Sequence, residues 1–420
     1  FYGGINMDNF ICDEIVEKYK KYINPSLPKL LYFMNILKVE DKSDGLYIYD
    51  INNKPYIDCL GGYGVFNFGH RNSFIIDEVK KQLDLMPMGS KVFLNRPLAE
   101  FSNLLAEILP GDIKYSFVVN SGAEAVEGAL KLAKLYTGKS KIIAMLNGFH
   151  GKTLGALSAT GRELYRDPFK PLLQDFFHVP FNDIESLCKI VDKDTAAIIV
   201  EPIQGEGGII VPDTGYLNKV KQLCEEYNCL LICDEIQTGM GRTGKFFAVN
   251  YDEVVPDIIL TAKALGGGIM PIGAFSSTKE IWNSFIESPF LHTSTFGGNP
   301  LACSAGIATI TFMQREYENL MVGKKGKYFI SQLEQLKSTY PHLIKEIRGR
   351  GLMIGVELIK EEIGGLTIAE LIKRGVLVAY TLNNPKVIRL EPPFIITEKE
   401  IDQVINIFAE AFQSIEKFME

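Results

Sequence analysis

Short apolar runs alternate with longer amphipathic stretches through the first three quarters of the chain. The runs 229–233 and 257–262 have the length and the composition of buried strands. Residues 73–87 and 97–109 carry apolar positions at helical spacing, and 215–228 is a further helix candidate. Other runs of strand length are 115–120, 141–146, the run from 196 that ends at Glu201, and 273–277. This alternation predicts an α/β fold.

The pattern changes beyond residue 318. The elements predicted there are a helix over about 323–339, strands in 348–358, 375–380 and 386–393, and a last helix to about 418. The last helix begins at Thr397, whose spacing to Glu400 is that of a capping box. We expect a smaller α+β domain, connected to the rest across 311–322.

The first residues add a helix candidate, 12–22, and two short strands in 46–58 around an Asn-Asn-Lys turn. We therefore divide the chain into three parts. These are an N-terminal segment, 1–58, that joins the small domain, a large domain, 59–318, and the small C-terminal domain, 319–420.

Composition narrows the classes of protein. The chain has 420 residues, 46% hydrophobic and 23% charged, with a net charge of −7, which argues against a nucleic-acid surface. No apolar run has the length of a membrane span, and no signal-peptide pattern opens the chain. Seven scattered cysteines without C-x-x-C spacing and five histidines argue against a metal site. We expect a cytoplasmic protein without membrane, metal or nucleic-acid partners. The start, FYGG, leaves a tag remnant and the edge of an excised domain both open.

Two charged residues follow the two central strands, Asp234 after the first and Lys263 after the second. Such residues are commonly a turn former and a solvated amine. The neighbouring residues favour a catalytic role for this pair. Gln237 and the glycine-rich run 239–244 follow Asp234, and glycines 266–268 leave room beside Lys263. A hemmed-in amine has a lowered pKa and condenses with an aldehyde, while a carboxylate keeps a ring nitrogen protonated.

A possible phosphate site opens the next helix. Ser121 follows the strand 115–120, and Glu124 stands three residues later, which is the spacing of a capping box. The small residues Gly122 and Ala123 leave backbone N–H groups free at the positive end of the helix. A well-capped helix without a ligand is the plain alternative.

Aromatic residues occur in two further candidate loops. Phe149 and His150 follow the strand 141–146, where α/β proteins bind ligands, and Phe149 offers a flat face for a cofactor ring. Tyr63 lies in the glycine-rich run 59–72. Two interpretations are open: its ring forms a wall of a ligand-binding loop, or it packs within an ordinary tight loop. His150 is a ligand contact or a structural histidine.

Four more polar residues are candidates. Glu201 ends a buried strand, and Glu206 follows in a glycine-rich loop. Thr295, in the Thr- and Gly-rich stretch 292–310, is a possible phosphate donor. Arg389 stands alone in an apolar strand, where burial is costly unless it meets an anion. That anion is a substrate carboxylate or a structural salt-bridge partner.

Six motifs occur in a characteristic order. They are NSGAEA (120–125), GFHGKT (148–153), EPIQGEGG (201–208), DEIQTGMGRTG (234–244), AKALGGG (262–268) and STFGGNPLA (294–302). Together they resemble the class III (omega) aminotransferases, pyridoxal-phosphate enzymes of fold type I, from about Gly61 to the last helix. That fold implies a large domain with a mostly parallel sheet and a smaller α+β domain. The stretches 289–310 and 381–393 are most similar to the putrescine (diamine) aminotransferase branch.

The resemblance implies roles around pyridoxal 5'-phosphate. Lys263 would carry the cofactor as a Schiff base and then act as general base, and Asp234 would pair with the pyridine nitrogen. Gln237 would bond the phenolic oxygen, with Ile236 beneath the ring and Phe149 above it. His150 and Glu201 are assigned to the same cofactor site.

The resemblance also implies a homodimer with shared sites. Ser121, Gly122 and Ala123 would hold the phosphate from one subunit, and Thr295 would reach it from the other.

For the substrates, Arg389 would bind the carboxylate of a 2-oxo acid. Glu206 would pair with Arg389 when a diamine is bound, and Tyr63 is placed in the same substrate site.

The expected reaction moves a terminal amine from a diamine such as putrescine to 2-oxoglutarate or pyruvate by a ping-pong mechanism. Donors of the ornithine, acetylornithine or 4-aminobutyrate type, or a carried biosynthetic intermediate, remain alternatives, as do an aminomutase and a non-catalytic scaffold. Two departures from the family pattern stand out. Residues 69–73 have the sequence GHRNS in place of Gly-His-x-His-Pro. Lys152 replaces an Arg common in ornithine-type members, which weakens the case for an amino-acid donor.

Overall fold

The computed structural model describes residues 7–34 and 36–419. Its strands are β1 (Glu40–Asp44), β2 (Tyr47–Asp50), β3 (Pro55–Asp58), β4 (Tyr115–Val119), β5 (Lys141–Met145), β6 (Phe176–Val179), β7 (Thr195–Val200), β8 (Leu230–Asp234), β9 (Ile258–Thr261), β10 (Gly273–Ser277), β11 (Ile344–Arg350), β12 (Met353–Leu358), β13 (Val376–Leu377), β14 (Ala379–Thr381) and β15 (Asn384–Leu390). Its α-helices are α1 (Met7–Tyr22), α2 (Ser26–Phe33), α3 (Gly61–Gly64), α4 (Ser73–Leu85), α5 (Arg96–Ile108), α6 (Gly122–Thr137), α7 (Leu154–Ala159), α8 (Glu163–Arg166), α9 (Ile184–Ile190), α10 (Tyr216–Glu226), α11 (Lys279–Ile286), α12 (Pro300–Leu320), α13 (Val322–Thr339), α14 (Glu361–Lys373) and α15 (Glu398–Met419).

A seven-stranded sheet in the order β4-β10-β9-β8-β7-β5-β6 forms the centre of the molecule. The strands β9, β8, β7, β5 and β6 run parallel, and β10 pairs antiparallel with both β4 and β9. All residues of β7, β8 and β9 are buried, because helices cover both faces of a sheet of this kind. The predicted α/β fold with a mostly parallel sheet is confirmed.

Helix α6 packs closely on this sheet. A Cβ at Gly128 would lie 2.1 Å from the ring of Phe275 in β10, so only glycine permits the observed separation. The apolar face of α6 buries residues such as Val126, Leu130 and Ala133. This packing holds the N-terminal end of α6 at the edge of the sheet where β8 ends.

Two four-stranded sheets lie outside the large one, in the orders β1-β2-β3-β13 and β11-β12-β15-β14. The strand predicted in 348–358 is confirmed as β12, but its first residues belong to β11, because β11 and β12 form a hairpin that turns at Gly351. Gly351 has φ 56°, and a Cβ there would lie 2.4 Å from the backbone carbon of Thr243. Only glycine fits this left-handed turn against a neighbouring backbone.

The single strand predicted in 375–380 is two short strands, β13 and β14. The chain passes from one sheet to another at the buried Val378, so that β13 pairs with β3 and β14 pairs with β15. Thr397 and Glu400 form the predicted capping box of α15, with each side chain accepting from the other's backbone N–H at 3.3 and 2.8 Å. The expected connection across 311–322 lies in α12 and at the start of α13, and the three-part division of the chain stays a prediction.

No helix among the described residues is both long and apolar enough to cross a bilayer.

Candidate active site

A cavity of about 500 Å³ opens at the edge of the large sheet where its parallel strands end. It is lined by Val65, Asn120, Ser121, Gly122, Ala123, Phe149, His150, Gly151, Glu201, Asp234, Ile236, Gln237, Ala262, Lys263 and the segment 268–272. Ten of the eleven residues proposed from the sequence for the cofactor and for catalysis, all except Thr295, are therefore brought together. Loops at the carboxyl ends of parallel strands are the usual ligand site of this architecture.

Lys263 enters the cavity from the tight turn that follows β9. Its backbone has φ 46°, a left-handed conformation that is uncommon for a residue with a side chain. The side chain is half-buried, because one side of it faces the cavity. Burial lowers the pKa of Lys263. The nearby carboxylates of Glu391 and Glu206 raise it, but the effect of burial is larger. Burial therefore shifts Lys263 in the direction of the neutral, nucleophilic amine.

Asp234, at the end of β8, is buried against His150. Its Oδ2 lies 2.7 Å from Nδ1 of His150, and its Oδ1 accepts the backbone N–H of Ile236 at 3.1 Å. Burial lowers the pKa of His150, but the hydrogen bond and charge of Asp234 outweigh it and raise this pKa overall. Nε2 of His150 has no hydrogen-bond partner within the described ranges. The acid is thus fixed by an imidazole, a partner that the sequence did not indicate.

The N-terminus of α6 forms one end of the cavity. Oγ of Ser121 accepts the N–H of Glu124 at 3.2 Å, as expected for its cap, while Oε2 of Glu124 accepts the N–H of Asn120 at 2.6 Å. The first N–H groups of a helix have no partner within the helix, and those of Gly122 and Ala123 lie at this end. A Cβ at Gly122 would lie 2.8 Å from Ile236, so glycine keeps this end open.

Glu201 supports the loop that carries Phe149. Its carboxylate accepts the N–H groups of Phe149 at 2.9 Å and of Gly205 at 3.1 Å. Burial raises the pKa of Glu201 to about 7. The residue lines the cavity, and its hydrogen bonds position the loop that supplies the aromatic wall.

The three residues proposed for substrate binding form a separate cluster beside the cavity. Nη1 and Nη2 of Arg389 lie 2.7 and 3.2 Å from the two carboxylate oxygens of Glu206. Oε2 of Glu206 also accepts the N–H of Leu382 at 2.8 Å. The guanidinium carbon of Arg389 lies 4.8 Å from the centre of the Tyr63 ring. Burial raises the pKa of Glu206, but the charge of Arg389 outweighs it and lowers this pKa overall.

Gln237 contacts a residue that sequence reasoning missed. Its Nε2 lies 2.9 and 3.0 Å from the two carboxylate oxygens of Glu391, which is fully buried. One signal was available, because Glu391 stands two residues after Arg389 and alternate residues of a strand share a face. Other lining residues were also given no role, although Asn120, Gly151, Ala262 and Gly268 lie within the quoted motifs, whereas Val65 and the segment 269–272 carried no comparable signal.

Thr295 is exposed and does not line the cavity of its own chain. Its neighbour Ser294 approaches the cavity, because Nδ2 of Asn120 donates to Oγ of Ser294 at 3.3 Å. The expectation that Thr295 serves the partner's site stays a prediction.

The family model for aminotransferase class III matches residues 33–412. The chain therefore belongs to the class III aminotransferases, enzymes of PLP fold type I with a large mixed sheet and a smaller separate sheet.

Similar solved structures agree with this family. The ornithine aminotransferase from Toxoplasma gondii ME49 is 31% identical over 97% of this chain and 96% of that chain, with a TM-score of 0.89. The adenosylmethionine-8-amino-7-oxononanoate aminotransferase from Methanocaldococcus jannaschii DSM 2661 is 32% identical over 96% and 99%, with a TM-score of 0.88. A transaminase from the marine bacterium Virgibacillus is 25% identical over 97% and 100%, with a TM-score of 0.91.

Class III aminotransferases use pyridoxal 5'-phosphate, and a second structure of the Toxoplasma gondii enzyme has partial occupancy of PLP at its active site. The residues of this cavity fit that group. Lys263 supplies an amine of lowered pKa, the first turn of α6 supplies N–H groups for a phosphate, and Asp234 supplies a fixed carboxylate. The transamination requires an amine donor and a 2-oxo acid acceptor.

Proposed function

We propose that this enzyme transfers a terminal amino group from a diamine such as putrescine to 2-oxoglutarate or pyruvate in two ping-pong half-reactions. The observation that carries the proposal is the buried pair of Arg389 and Glu206, joined at 2.7 and 3.2 Å. A donor with an α-carboxylate must displace Glu206 to reach the guanidinium, whereas a diamine leaves the pair intact. The acceptor's carboxylate then binds Arg389 in the second half-reaction.

Bound pyridoxal phosphate supplies an aldehyde that condenses with amines and a ring that accepts electrons. We assign Lys263 to bond that aldehyde and to move the substrate proton, since its side chain lines the cavity and burial lowers its pKa toward that of a better proton acceptor at neutral pH. Asp234, held by His150, would keep the ring nitrogen protonated. An ion pair at about 4 Å is worth about 4 kcal/mol at an effective dielectric constant of about 20. Phe149 and Ile236 lie at the cavity wall, where they would enclose the ring.

We propose that the active unit is a homodimer. Several large apolar side chains are strongly exposed in two segments, and they are Val92, Phe93, Leu94, Phe290 and Phe296. The two segments lie together, because Nδ2 of Asn95 donates to the carbonyl oxygen of Gly298 at 3.3 Å. An exposed apolar surface of this kind is typical of a protein interface. The same surface contains Thr295, which we propose contacts the partner's phosphate site.

An amino-acid or acylated amino-acid donor is the second candidate. The likeness to the ornithine aminotransferase of Toxoplasma gondii favours it, together with 31% identity to the acetylornithine aminotransferase from Elizabethkingia anophelis. An aminomutase would turn over without an added acceptor, and a scaffold would show no turnover at all.

A donor panel tests the proposal. Putrescine, ornithine, acetylornithine and 4-aminobutyrate would each be offered with 2-oxoglutarate or pyruvate, and the amino-acid product measured. We expect putrescine to give the highest kcat/KM. A higher value for ornithine or acetylornithine would transfer the assignment to the second candidate.

The variant Arg389→Ala separates the two half-reactions. We expect KM for the 2-oxo acid to rise by about a hundredfold, because a buried charge partner is lost, and KM for the diamine to change much less. Arg315→Ala, at an exposed position outside the cavity, is the control. Equal losses for donor and acceptor would contradict the role of Arg389.

A further inference from the structure

Glu391 is a second carboxylate at the substrate end of the site, and none of the assignments above gives it a role. It follows β15 directly and is fully buried. Its N–H donates to the carbonyl oxygen of Cys59 at 2.7 Å, and two prolines follow it. Its two carboxylate oxygens lie 2.9 and 3.0 Å from Nε2 of Gln237. Backbone and side chain are thus both held in place.

Arg389 lies between two carboxylates, of which one is hydrogen-bonded to its guanidinium and the other is not. Glu206 binds both of its terminal nitrogens, while Oε2 of Glu391 lies 4.0 Å from its Nε. That Nε has no hydrogen-bond partner in the part of the chain that the structure describes. Glu391 therefore faces the guanidinium without being bonded to it.

The two carboxylates respond differently to a ligand at Arg389. Glu206 shares its guanidinium contact with any incoming carboxylate and can be displaced by it. Glu391 is retained by Gln237, so its charge stays beside the ligand. Two carboxylates thus face the one guanidinium of Arg389, and Glu391 also interacts with the buried guanidinium of Arg242 and with the amine of Lys263. At Arg389 the charge of Glu391 opposes an incoming carboxylate and attracts a cationic ligand.

We propose that Glu391 is a positioning and specificity-determining residue. Its fixed charge weakens the binding of carboxylates at Arg389 and favours substrates with a distal ammonium group, and its hydrogen bond orients the Gln237 amide. The ammonium preference rests on the proposed diamine reaction, whereas the effect on carboxylates does not.

Two variants separate charge from orientation. A carboxylate only accepts hydrogen bonds, so the Gln237 NH₂ group must face Glu391. Glu391→Gln keeps an acceptor for that NH₂ group and removes the charge. Gln237→Ala keeps the charge of Glu391 and removes its hydrogen bond to the amide, which frees Glu391 to reach Nε of Arg389. Glu410→Gln, on an exposed part of α15, is the matched control.

The probe is glutarate, a dicarboxylate that resembles the acceptor and lacks a reactive carbonyl. Its Kd would be measured on the holoenzyme from the absorbance of the bound cofactor. We expect Glu391→Gln to lower this Kd by about tenfold, equivalent to about 1.4 kcal/mol, and Gln237→Ala to raise it. In the same Glu391→Gln protein, KM for putrescine should rise about tenfold while kcat changes less than about twofold.

An unchanged glutarate Kd in folded Glu391→Gln protein would overturn the proposal. If that variant fails to fold, Gln237→Ala decides, since an unchanged or lowered Kd there would also overturn it. A wild-type enzyme that ignores putrescine would refute the diamine reaction, while the glutarate measurements would still test Glu391.

Discussion

Lys263 reaches the cavity from a backbone conformation that few residues with side chains adopt. A non-glycine residue with φ near 46° is strained by about 1–3 kcal/mol, and such strain persists only where the surroundings hold it. Here the next two residues, Ala264 and Leu265, are buried, and the N–H of Leu265 donates to the carbonyl oxygen of Ala262 at 2.9 Å across the turn. The amine is therefore presented by a rigid turn, and a change of side chain should leave that turn intact.

We expect Lys263→Ala to abolish transamination without unfolding the protein, because the amine is lost and the turn that carries it is kept. Borohydride treatment followed by mass spectrometry of tryptic peptides should show cofactor fixed to wild-type protein and to the control Lys327→Ala. Cofactor fixed to the Lys263→Ala protein at another lysine, with turnover retained, would disprove the assignment.

A second residue-scale prediction concerns pH. Burial raises the pKa of Glu235 to about 7, although its carboxylate accepts the N–H of Val249 at 2.7 Å. A raised folded pKa means that the folded protein binds more protons than the unfolded chain between about pH 4.5 and 7. Stability then falls as pH rises through this window, by up to about 3 kcal/mol for this one group. The raised pKa of Glu201 acts in the same direction.

Glu235→Gln should reduce the loss of folding stability that occurs as the pH rises. The amide can still accept from Val249 and can donate to the hydroxyl of Thr238, its other partner. Urea midpoints at pH 5 and pH 8, measured without added cofactor, would show a smaller difference in the variant than in wild type. Parallel pH profiles would show that Glu235 is ionised in the folded protein over the whole range.

At the scale of elements, the N-terminus of α6 depends on a residue without a side chain. Gly122→Ala would place a Cβ 2.8 Å from Ile236, closer than real contacts allow, and would narrow the proposed phosphate end. We expect affinity for pyridoxal phosphate to fall about tenfold or more, measured by equilibrium titration of the apoenzyme. Gly365→Ala in α14 is the control, because a Cβ there meets no atom within 4 Å. An unchanged affinity would place the phosphate elsewhere.

Elements with strong local signals were predictable from the sequence. The strands that end near Asp234 and Lys263 and the caps at Ser121 and Thr397 depend on residues within a few positions of each other. The change of sheet at Val378 was not, because β3, with which β13 pairs, is distant in sequence. The hairpin at Gly351 joins adjacent strands, but the backbone of Thr243 against which its turn packs is also distant.

The same distinction applies to the candidate site. The sequence predicted which residues approach the cavity, because each stands at a strand end or in a glycine-rich turn. It did not predict which side chains bond to each other, since His150 and Asp234 are separated by 84 positions and Gln237 and Glu391 by 154. Periodicity within one element carries no information about such pairs.

At the scale of the whole molecule, the proposed dimer predicts complementation between two defective proteins. We expect Thr295→Ala to weaken cofactor binding and Lys263→Ala to be inactive. In a mixed dimer of the two variants, one site receives Lys263 from one subunit and Thr295 from the other. Mixing under conditions that exchange subunits should therefore restore activity, up to one intact site per mixed dimer.

Assay of the two proteins before and after exchange measures this gain, and self-mixed samples of each variant are the control. Sites contained within single subunits would give no gain on mixing. The cytoplasmic location and the three-part division of the chain remain predictions that this experiment does not address.

The pairing of β8 with β9 places Asp234 opposite Leu260, only three positions before Lys263. Residues 235–257 connect the two strands, and insertions or deletions at the exposed positions of this connection, Lys245, Glu253 and Val255, would leave the acid and the amine where they are. Loss of one residue inside β8 would instead turn the Asp234 side chain toward the opposite face of the sheet. Relatives of different length should therefore differ in this connection and keep both strands free of gaps.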